Sequence, residues 1–445
     1  MHVITERVPT YIINLRFRSD RKENVLKEFE GKYEFNVTIV DAIQHQIGSI
    51  GLWKTIQYIL SDLTTGESEF VLICEDDHQF TSEYSKEILL NSITKAKELG
   101  ADILCGGVSW FSNAIRINET IWWVEKFTGT QFIILFKRAW KPILEADFGI
   151  YDTADLKLCS LTENVFLMCP FISIQKEYGY SDATPKNNQE GRIKELFESS
   201  REGVDINNMV TQRFNKRENN RDECMPADFH NVSIPVYAIN LPERKERRVH
   251  IENQFMGKEE FDLTIIDACK HENGAYGLWL SIRKVIEIAI KNEDDVIIIC
   301  EDDHEFTEHY SKEYLLKNII EAHKQGVCYL SGGTSNFRYA IKAAPNRYWV
   351  SACRATQFMV LYKDIFNKIL QEPFDETVIA DLLLPELTSN KMVLYPFISV
   401  QKDFGYSDVT EVHNHDTSLV SRLFKESEKT MERINNAYNK YFMNS

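Results

Sequence analysis

The chain has 445 residues, of which 43% are hydrophobic and 12% aromatic, so it is long and apolar enough to bury more than one core. Its formal net charge of -16 excludes nucleic acid and an anionic membrane surface as main partners, because both would be repelled. We find neither a signal-peptide pattern nor a transmembrane segment. The nine cysteines lack metal-ligand spacing and are typical of reduced thiols. We therefore expect a cytoplasmic protein.

In chain order, the first part of the sequence alternates short apolar runs with longer amphipathic segments. Buried strands are predicted for the runs PTYIINL, NVTIVDA, FVLICEDD, ADILCGG and TQFIILF. Helical spacing of apolar residues marks residues 20–30, 52–63 and 82–99. Strands that alternate with helices predict an α/β fold with a mostly parallel central sheet.

The segment of residues 207–231 is polar and charged, which predicts an exposed connection or a frayed helix. Beyond it the chain repeats itself without gaps. Tyr237 follows Tyr11 by 226 residues, in YAINL and YIINL, and Gly405 follows Gly179 by the same distance, in GYSD. A repeat this long indicates a duplicated domain, because solenoid repeats run at roughly 20 to 50 residues. We predict two tandem domains, residues 1–227 and 228–445, with the boundary near Asp228.

The stretch ICEDDH occurs once in each half, directly after a run of apolar residues. The acids of the first copy are Glu75, Asp76 and Asp77, and they fall at the carboxyl end of a predicted parallel strand. Open α/β sheets bind their ligands at that edge. Adjacent carboxylates repel one another, and a hard divalent cation with oxygen ligands offsets the repulsion. An acidic turn solvated by water is the alternative.

The order of motifs in the second half resembles glycosyltransferase family 25, which includes lipooligosaccharide and collagen galactosyltransferases. It runs NL-x-x-R-x-x-R, a strand that ends in DA, G-x-x-G, I-x-x-EDD, a TQF strand, an acid before leucines, and PFISVQ. The first half keeps nearly all of this order. The resemblance implies a GT-A fold, which is a Rossmann-like nucleotide-binding α/β domain. It also implies a metal-dependent transfer of galactose or glucose from a UDP-sugar to a saccharide, protein or peptide hydroxyl, with inversion.

The resemblance assigns roles to residues in both halves. The EDD acts like a DxD motif, in which Mn²⁺ or Mg²⁺ bridges the carboxylates and the donor diphosphate. The expected metal ligands are Glu75, Asp77, Glu301, Asp303 and His413. The expected donor-binding residues are Asn14, Arg18, Arg21, Asp41, Gly51 and Asp76 in the first half, and Asn240, Arg244, Arg247, Asp267, Gly277 and Asp302 in the second. Solvated surface positions are the alternative for the arginines, for Asp41 and Asp267, and for His413.

An inverting transfer needs a general base that takes the proton of the acceptor hydroxyl. Asp155 in ADLKL and Asp381 in ADLLL stand where the family has an acid before a helix, and a helix cap is their alternative role. His78 and His304, next to the acids, are expected to support the site or the core. Trp53 and Trp279 either floor a sugar pocket or pack in the core.

Two other readings of the sequence remain open. The second half follows the family pattern more closely, so the first half could be a non-catalytic module that binds the acceptor or a partner. A divalent-metal phosphoesterase would also use Asp and His at a strand end, but we find no residues spaced to hold a second ion.

Overall fold

The computed structural model describes residues 7–180, 185–218, 229, 232–354, 356–375, 377, 379–405 and 418–442. The chain divides into two compact units, Met1–Asn208 with Asn436–Ser445, and Met209–Asn435. Asp228, where the sequence predicts the boundary, lies outside the described residues. No helix in the described parts of the chain is long and apolar enough to cross a bilayer.

The strands of the first half have counterparts 226 residues later. The first twelve are β1 (Val8–Asn14), β2 (Phe35–Asp41), β3 (Phe70–Glu75), β4 (His78–Phe80), β5 (Ile103–Cys105), β6 (Trp110–Phe111), β7 (Ala114–Arg116), β8 (Ile121–Val124), β9 (Phe127–Thr128), β10 (Phe132–Phe136), β11 (Val165–Met168) and β12 (Ser173–Gln175). Their counterparts are β13 (Ile234–Asn240), β14 (Phe261–Asp267), β15 (Val296–Glu301), β16 (His304–Phe306), β17 (Tyr329–Ser331), β18 (Asn336–Phe337), β19 (Ala340–Ala344), β20 (Arg347–Val350), β21 (Cys353–Arg354), β22 (Phe358–Tyr362), β23 (Lys391–Leu394) and β24 (Ser399–Gln401).

The α-helices correspond in the same way. They are α1 (Ser19–Phe29), α2 (Gly48–Tyr58), α3 (Lys86–Glu98), α4 (Lys137–Glu145), α5 (Ala154–Leu161) and α6 (Arg192–Glu218), followed by α7 (Lys245–Phe255), α8 (Gly274–Lys291), α9 (Lys312–Lys324), α10 (Lys363–Gln371), α11 (Ala380–Glu386) and α12 (Leu419–Phe442). A π-helical turn, Ile59–Leu63, extends α2, whereas its counterpart α8 continues as a regular helix.

Each half has an eight-stranded sheet with the same strand order. In the first half the order is β2-β1-β3-β10-β5-β11-β8-β7, and the second half repeats it. The strands β10 and β8 run opposite to the other six, so the sheet is mixed but mostly parallel. The predicted fold class, tandem α/β domains with mostly parallel sheets, is therefore confirmed. A separate two-stranded sheet pairs β4 with β12 in antiparallel register, and β16 pairs with β24 likewise.

The amino-acid sequence explains the positions of the elements that carry the site. Five consecutive residues of β3 are buried, because helices and loops cover the strand on both faces. The helix α1 buries Arg21, Val25 and Phe29, which are spaced four residues apart and so lie on one face. Val25 and Phe29 pack into the core, whereas Arg21 extends toward the carboxyl end of β3.

The connecting segment differs from the sequence prediction of an exposed connection or a frayed helix. Residues 207–218 continue the helix α6. Phe214 is buried among the core residues of the second unit, and Val210 packs against the same core. Two apolar side chains four residues apart therefore anchor this end of the helix.

Candidate functional site

The acids of the EDD cluster lie at the carboxyl end of β3 and of β15. Glu75 is the last residue of β3, and Asp76 and Asp77 form the turn that leads into β4. The neighbouring strand β1 ends at the same edge with Asn14. Parallel strands thus bring residues from distant parts of the sequence to one edge of the sheet.

Asp76 is buried and is held by residues of β1, of α1 and of the loop between them. Asn14 Nδ2 donates to its Oδ2 at 2.9 Å, and Arg21 Nη1 donates to its Oδ1 at 3.3 Å. Arg18 Nη1 lies 4.0 Å from the same carboxylate. These contacts give the buried charge both a hydrogen-bond donor and a counter-charge, as burial of an ionised carboxylate requires.

The second half repeats this arrangement with shorter contacts to arginine. Asn240 Nδ2 donates to Asp302 Oδ2 at 2.8 Å. Arg247 Nη1 donates to Asp302 Oδ1 at 3.1 Å and to Asp303 Oδ2 at 3.2 Å. In the first half, Arg21 Nη1 lies 3.9 Å from the Asp77 carboxylate. Of the arginines predicted to bind the donor diphosphate, Arg18, Arg21 and Arg247 therefore contact the acids directly and are buried.

In Asp77 and Asp303, one carboxylate oxygen accepts hydrogen bonds and the other is unpaired. Gln175 Nε2 donates to Asp77 Oδ2 at 2.6 Å, and Gln401 Nε2 donates to Asp303 Oδ2 at 2.8 Å. The other oxygen, Oδ1, is buried in both residues and has no hydrogen-bond partner among the described residues. Burial raises the pKa of each of these carboxyl groups to about 6.

Glu75 and Glu301 are the most strongly perturbed acids of the cluster. Burial raises their pKa to about 8, and the charge of Asp77 or Asp303 contributes. The hydroxyl groups of Thr130 and Thr356 donate to these side chains and oppose the shift. Both glutamates are therefore largely protonated at neutral pH in the absence of a cation.

The structure brings Asp155 and Asp381, the predicted bases, toward the acid clusters. Asp155 lies in the first turn of α5, where its Oδ2 accepts from the Gly129 amide at 3.1 Å and its Oδ1 accepts from the Thr153 hydroxyl at 2.6 Å. Its charge contributes to the raised pKa of Glu75, and Asp381 acts on Glu301 in the same way. Each predicted base is thus within electrostatic range of the cluster in its own half.

Other predicted site residues lie further from the acids or serve local packing. Asp41 is exposed and pairs with Arg16 at 2.6 Å. Asp267 is also exposed, and Arg244 is half-buried at the N-terminal cap of α7. A Cβ on Gly51 would lie 2.5 Å from Ile43 O, and one on Gly277 would lie 2.6 Å from Cys269 O. The glycines therefore permit close contact between a helix and the loop after the second strand of each sheet.

The histidines and tryptophans near the cluster are core residues. His78 and His304 are buried, their Nδ1 atoms lie 2.8 Å from Ser173 Oγ and Ser399 Oγ, and burial lowers the pKa of each to about 3. Trp53 is buried and stacks on Phe148 with ring centroids 5.0 Å apart, and Trp279 stacks on Phe374 at 4.8 Å. His413 lies outside the described residues.

Sequence reasoning missed the residues that hold the acids from the ends of β12 and β24 and from the segments before β10 and β22. Gln175, Gln401, Thr130 and Thr356 all belong to motifs that recur in both halves, PFIS-x-Q and TQF. Their repetition was the available signal. The motifs entered the sequence analysis only through the repeat and the family resemblance, because nothing local in them indicates a carboxylate partner.

The acids at this edge are oxygen ligands of the type that a hard divalent cation takes. No group of three or more His, Cys, Asp or Glu side chains poised to hold a metal occurs in the described portion of the chain. Mg²⁺, however, is commonly held by one or two carboxylates, substrate phosphates and water. The Oδ1 atoms of Asp77 and Asp303, which have no hydrogen-bond partner among the described residues, are buried acceptors of the kind that such an ion requires.

Neither a protein-family model nor a curated protein matches the chain. Several solved structures are similar to parts of it. A197 from STIV has a TM-score of 0.29 and 12% identity over 38% of this chain and 85% of its own. An apo UDP-glucose pyrophosphorylase has a TM-score of 0.27 and 10% identity over 43% of this chain and 82% of its own. A glycosyltransferase involved in glycosylation of the major capsid of PBCV-1 has a TM-score of 0.23 and 12% identity, over 36% and 81%.

Proposed function

We propose that the protein is a metal-dependent glycosyltransferase that moves galactose or glucose from a UDP-sugar to a hydroxyl group of a saccharide, protein or peptide, with inversion. The observation that carries this proposal is the buried acid cluster at the carboxyl edge of each sheet. In this cluster one carboxylate oxygen of Asp77 and one of Asp303 have no hydrogen-bond partner among the described residues. Such a cluster is costly without a cation. Its position is where α/β sheets bind nucleotides.

In this proposal the acids Glu75 and Asp77, with Glu301 and Asp303, bind Mn²⁺ or Mg²⁺. When bound, the ion supplies positive charge that offsets the negative charge on the departing nucleoside diphosphate. Asn14 and Arg21 fix Asp76 and so keep the turn that carries Asp77 in place. Gln175 fixes one oxygen of Asp77 and leaves the other toward the ion.

The bases of the transfer are Asp155 and Asp381. In the first half, the Gly129 amide and the Thr153 hydroxyl each hold one oxygen of Asp155, which limits the rotation of the carboxylate. A carboxylate oriented in this way accepts the proton of an acceptor hydroxyl as that hydroxyl attacks the anomeric carbon. The eight cysteines of the described residues are all free thiols, which supports a reducing cytoplasmic compartment.

The alternative is that only the second half is catalytic and the first binds the acceptor or a partner. The tighter contact of Arg247 with Asp303, 3.2 Å against 3.9 Å for Arg21 with Asp77, is a difference between the two clusters. The three acids of the cluster and the acid at the base position are nevertheless present in both halves. We therefore propose two working sites.

Release of UDP from a panel of UDP-sugars with Mn²⁺ tests this function. We expect partial loss of turnover with Asp77→Ala and with Asp303→Ala, and complete loss when both are changed. Asp295→Ala is the matched control, because this exposed acid precedes the amino end of β15 and pairs with Lys363. Loss with Asp303→Ala alone would make the first half a helper. Absence of metal-dependent turnover with every donor would refute the transferase for these donors.

A further inference from the structure

In the part of the chain that the structure describes, exposed aromatic side chains occur only in the first half. Among the described residues, the six exposed aromatic side chains all lie in the first half: Phe17, Tyr33, Tyr58, Trp110, Tyr151 and Tyr180. Exposed apolar groups that cluster on a surface mark a binding site, because water solvates them poorly. The question is therefore whether these six are scattered or share a location.

Four of the six exposed aromatic side chains lie near the acid cluster or the predicted base, and two of these four lie beside the arginines of the cluster. Phe17 lies in the loop after β1, and its ring is 5.8 Å from the Arg18 guanidinium. The Tyr180 ring lies 4.3 Å from the Arg21 guanidinium. Both arginines contact Asp76. Each of these two aromatic rings thus contacts an arginine that in turn contacts the buried Asp76.

The other two rings lie on the side of the predicted base. Trp110 pairs with Thr128, and the next residue, Gly129, donates its amide to Asp155. Tyr151 is 93% exposed and precedes Thr153, whose hydroxyl also donates to Asp155. Three loops and the strand β6 therefore expose one aromatic side chain each around the same acids. We call Phe17, Trp110, Tyr151 and Tyr180 the aromatic rim.

The second half has polar residues at three of the four positions of the aromatic rim. The counterparts of Phe17, Trp110 and Tyr151 are Glu243, Asn336 and Thr377. Glu243 forms an ion pair with Lys270 at 2.5 Å, so a charged pair stands where the first half has an aromatic ring. The counterpart of Tyr180 is Tyr406, which lies outside the described residues. The acids are the same in both halves, but the surfaces around them differ.

The polar groups beside the aromatic rim indicate the chemical class of the ligand. Arg16 and Asp41, next to Phe17 in the fold, form an exposed ion pair at 2.6 Å. A pyranose ring has a face of C–H bonds, which packs on an aromatic ring, and an edge of hydroxyl groups, which a guanidinium and a carboxylate bind in pairs. An apolar peptide or a lipid chain has no hydroxyl groups to hydrogen-bond with these two charged side chains.

We propose that the aromatic rim binds a pyranose ring of a saccharide acceptor, and that the first half therefore takes a saccharide whereas the second half does not bind one in this way. The proposal rests on the proposed function in one respect, namely that the bound saccharide is the acceptor of the transfer. Saccharide binding itself can be measured without a donor or a metal.

The test measures the binding of lactose, methyl β-galactoside and cellobiose to the full chain. Binding is detected by saturation-transfer NMR, without UDP-sugar or divalent cation. We expect Trp110→Asn and Phe17→Glu, which insert the residues of the second half, to weaken binding by about three- to ten-fold. Tyr151→Thr is a further variant that cannot disturb the core, because the side chain is almost fully exposed. Tyr33→Glu, which also inserts the counterpart residue, is the control and should bind as the wild type does.

Two results would overturn the proposal: wild-type affinity in all three rim variants, or binding of phosphatidylcholine vesicles in place of the three saccharides. Its fate is separable from that of the proposed function. Saccharide binding that depends on Trp110, without turnover of any UDP-sugar, would support this inference and refute the transferase. Turnover of a UDP-sugar with an acceptor KM that Trp110→Asn leaves unchanged would support the transferase and refute this inference.

Discussion

A buried carboxyl group without a cation beside it loses its charge, and Glu301 is the clearest instance in this protein. Its pKa is raised to about 8 by burial, with the charge of Asp303 as the second cause. The hydroxyl of Thr356 donates to it but only partly opposes the shift. The glutamate is then a hydrogen-bonded neutral acid that becomes an anion when positive charge arrives.

The raised pKa of Glu301 predicts how stability depends on pH. The folded protein holds this proton up to about pH 8, whereas the unfolded chain loses it near pH 4.5. Between these values the folded state binds more protons, so the free energy of unfolding falls as the pH rises. Glu301→Gln keeps an oxygen for Thr356 and removes the titration. We expect its thermal midpoint to fall less than that of the wild type between about pH 5.5 and 8.5, without divalent cations.

The control for this prediction is Glu308→Gln, an exposed glutamate in the loop after β16. Its thermal midpoint should follow the wild type across the same pH range. Glu75→Gln should repeat the effect in the first half. His304 has the opposite sign, because its lowered pKa makes the folded state bind fewer protons below about pH 6.5. Equal slopes for Glu301→Gln and the wild type would contradict the assigned cause.

Some site residues could be predicted from the sequence and others could not, and the separation along the chain explains the difference. The acids and Asn14 stand at the ends of apolar runs, so their position at the sheet edge is local information. Gln175 is 98 residues from Asp77, and Thr130 is 55 residues from Glu75. Only the pairing of β4 with β12 and of β3 with β10 brings them together, and no local pattern encodes it.

At the scale of elements, the contact between α8 and the loop after β14 depends on one glycine. A Cβ at Gly277 would stand 2.6 Å from Cys269 O, a backbone atom that cannot rotate away. We expect Gly277→Ala to lower the free energy of unfolding by about 1–3 kcal/mol, as measured by urea denaturation. The loss should exceed the small gain in helix propensity from alanine.

Two variants of the first half test the same cause. Gly51→Ala should be destabilising by a similar amount, since its Cβ would lie 2.5 Å from Ile43 O. Gly66→Ala is the control, because no atom lies within 4 Å of its Cβ position and the backbone there is not left-handed. An unchanged urea midpoint for both helix variants would show that the loop yields without cost.

The elements that sequence patterns located correctly are the long ones. The strands β1, β2 and β3 and the helix α1 begin and end close to the predicted residues. The helix predicted for residues 82–99 begins later, at Lys86, where Ser85 accepts from the Ile88 amide and caps it. The antiparallel direction of β10 was not predictable, since a continuous apolar run such as TQFIILF does not encode direction.

For the whole molecule, the duplication raises the question of whether both copies keep the function. The strand order, the acids and their hydrogen bonds recur at an offset of 226 residues. The surfaces around the acids have diverged, as the aromatic rim and its polar counterpart show. In both halves one buried carboxylate oxygen, on Asp77 and on Asp303, has no hydrogen-bond partner among the described residues, which costs stability unless a cation binds it.

This reasoning predicts one cation site in each half. We expect the wild type to bind two Mn²⁺ ions per chain in the presence of UDP, as counted by electron paramagnetic resonance of the free ion. Asp77→Asn and Asp303→Asn should each bind one, because each removes a charged ligand while its side chain still accepts from Gln175 or Gln401. Asp295→Asn should bind two. A single ion in the wild type, lost only with Asp303→Asn, would instead favour a first half that binds the acceptor without transferring a sugar.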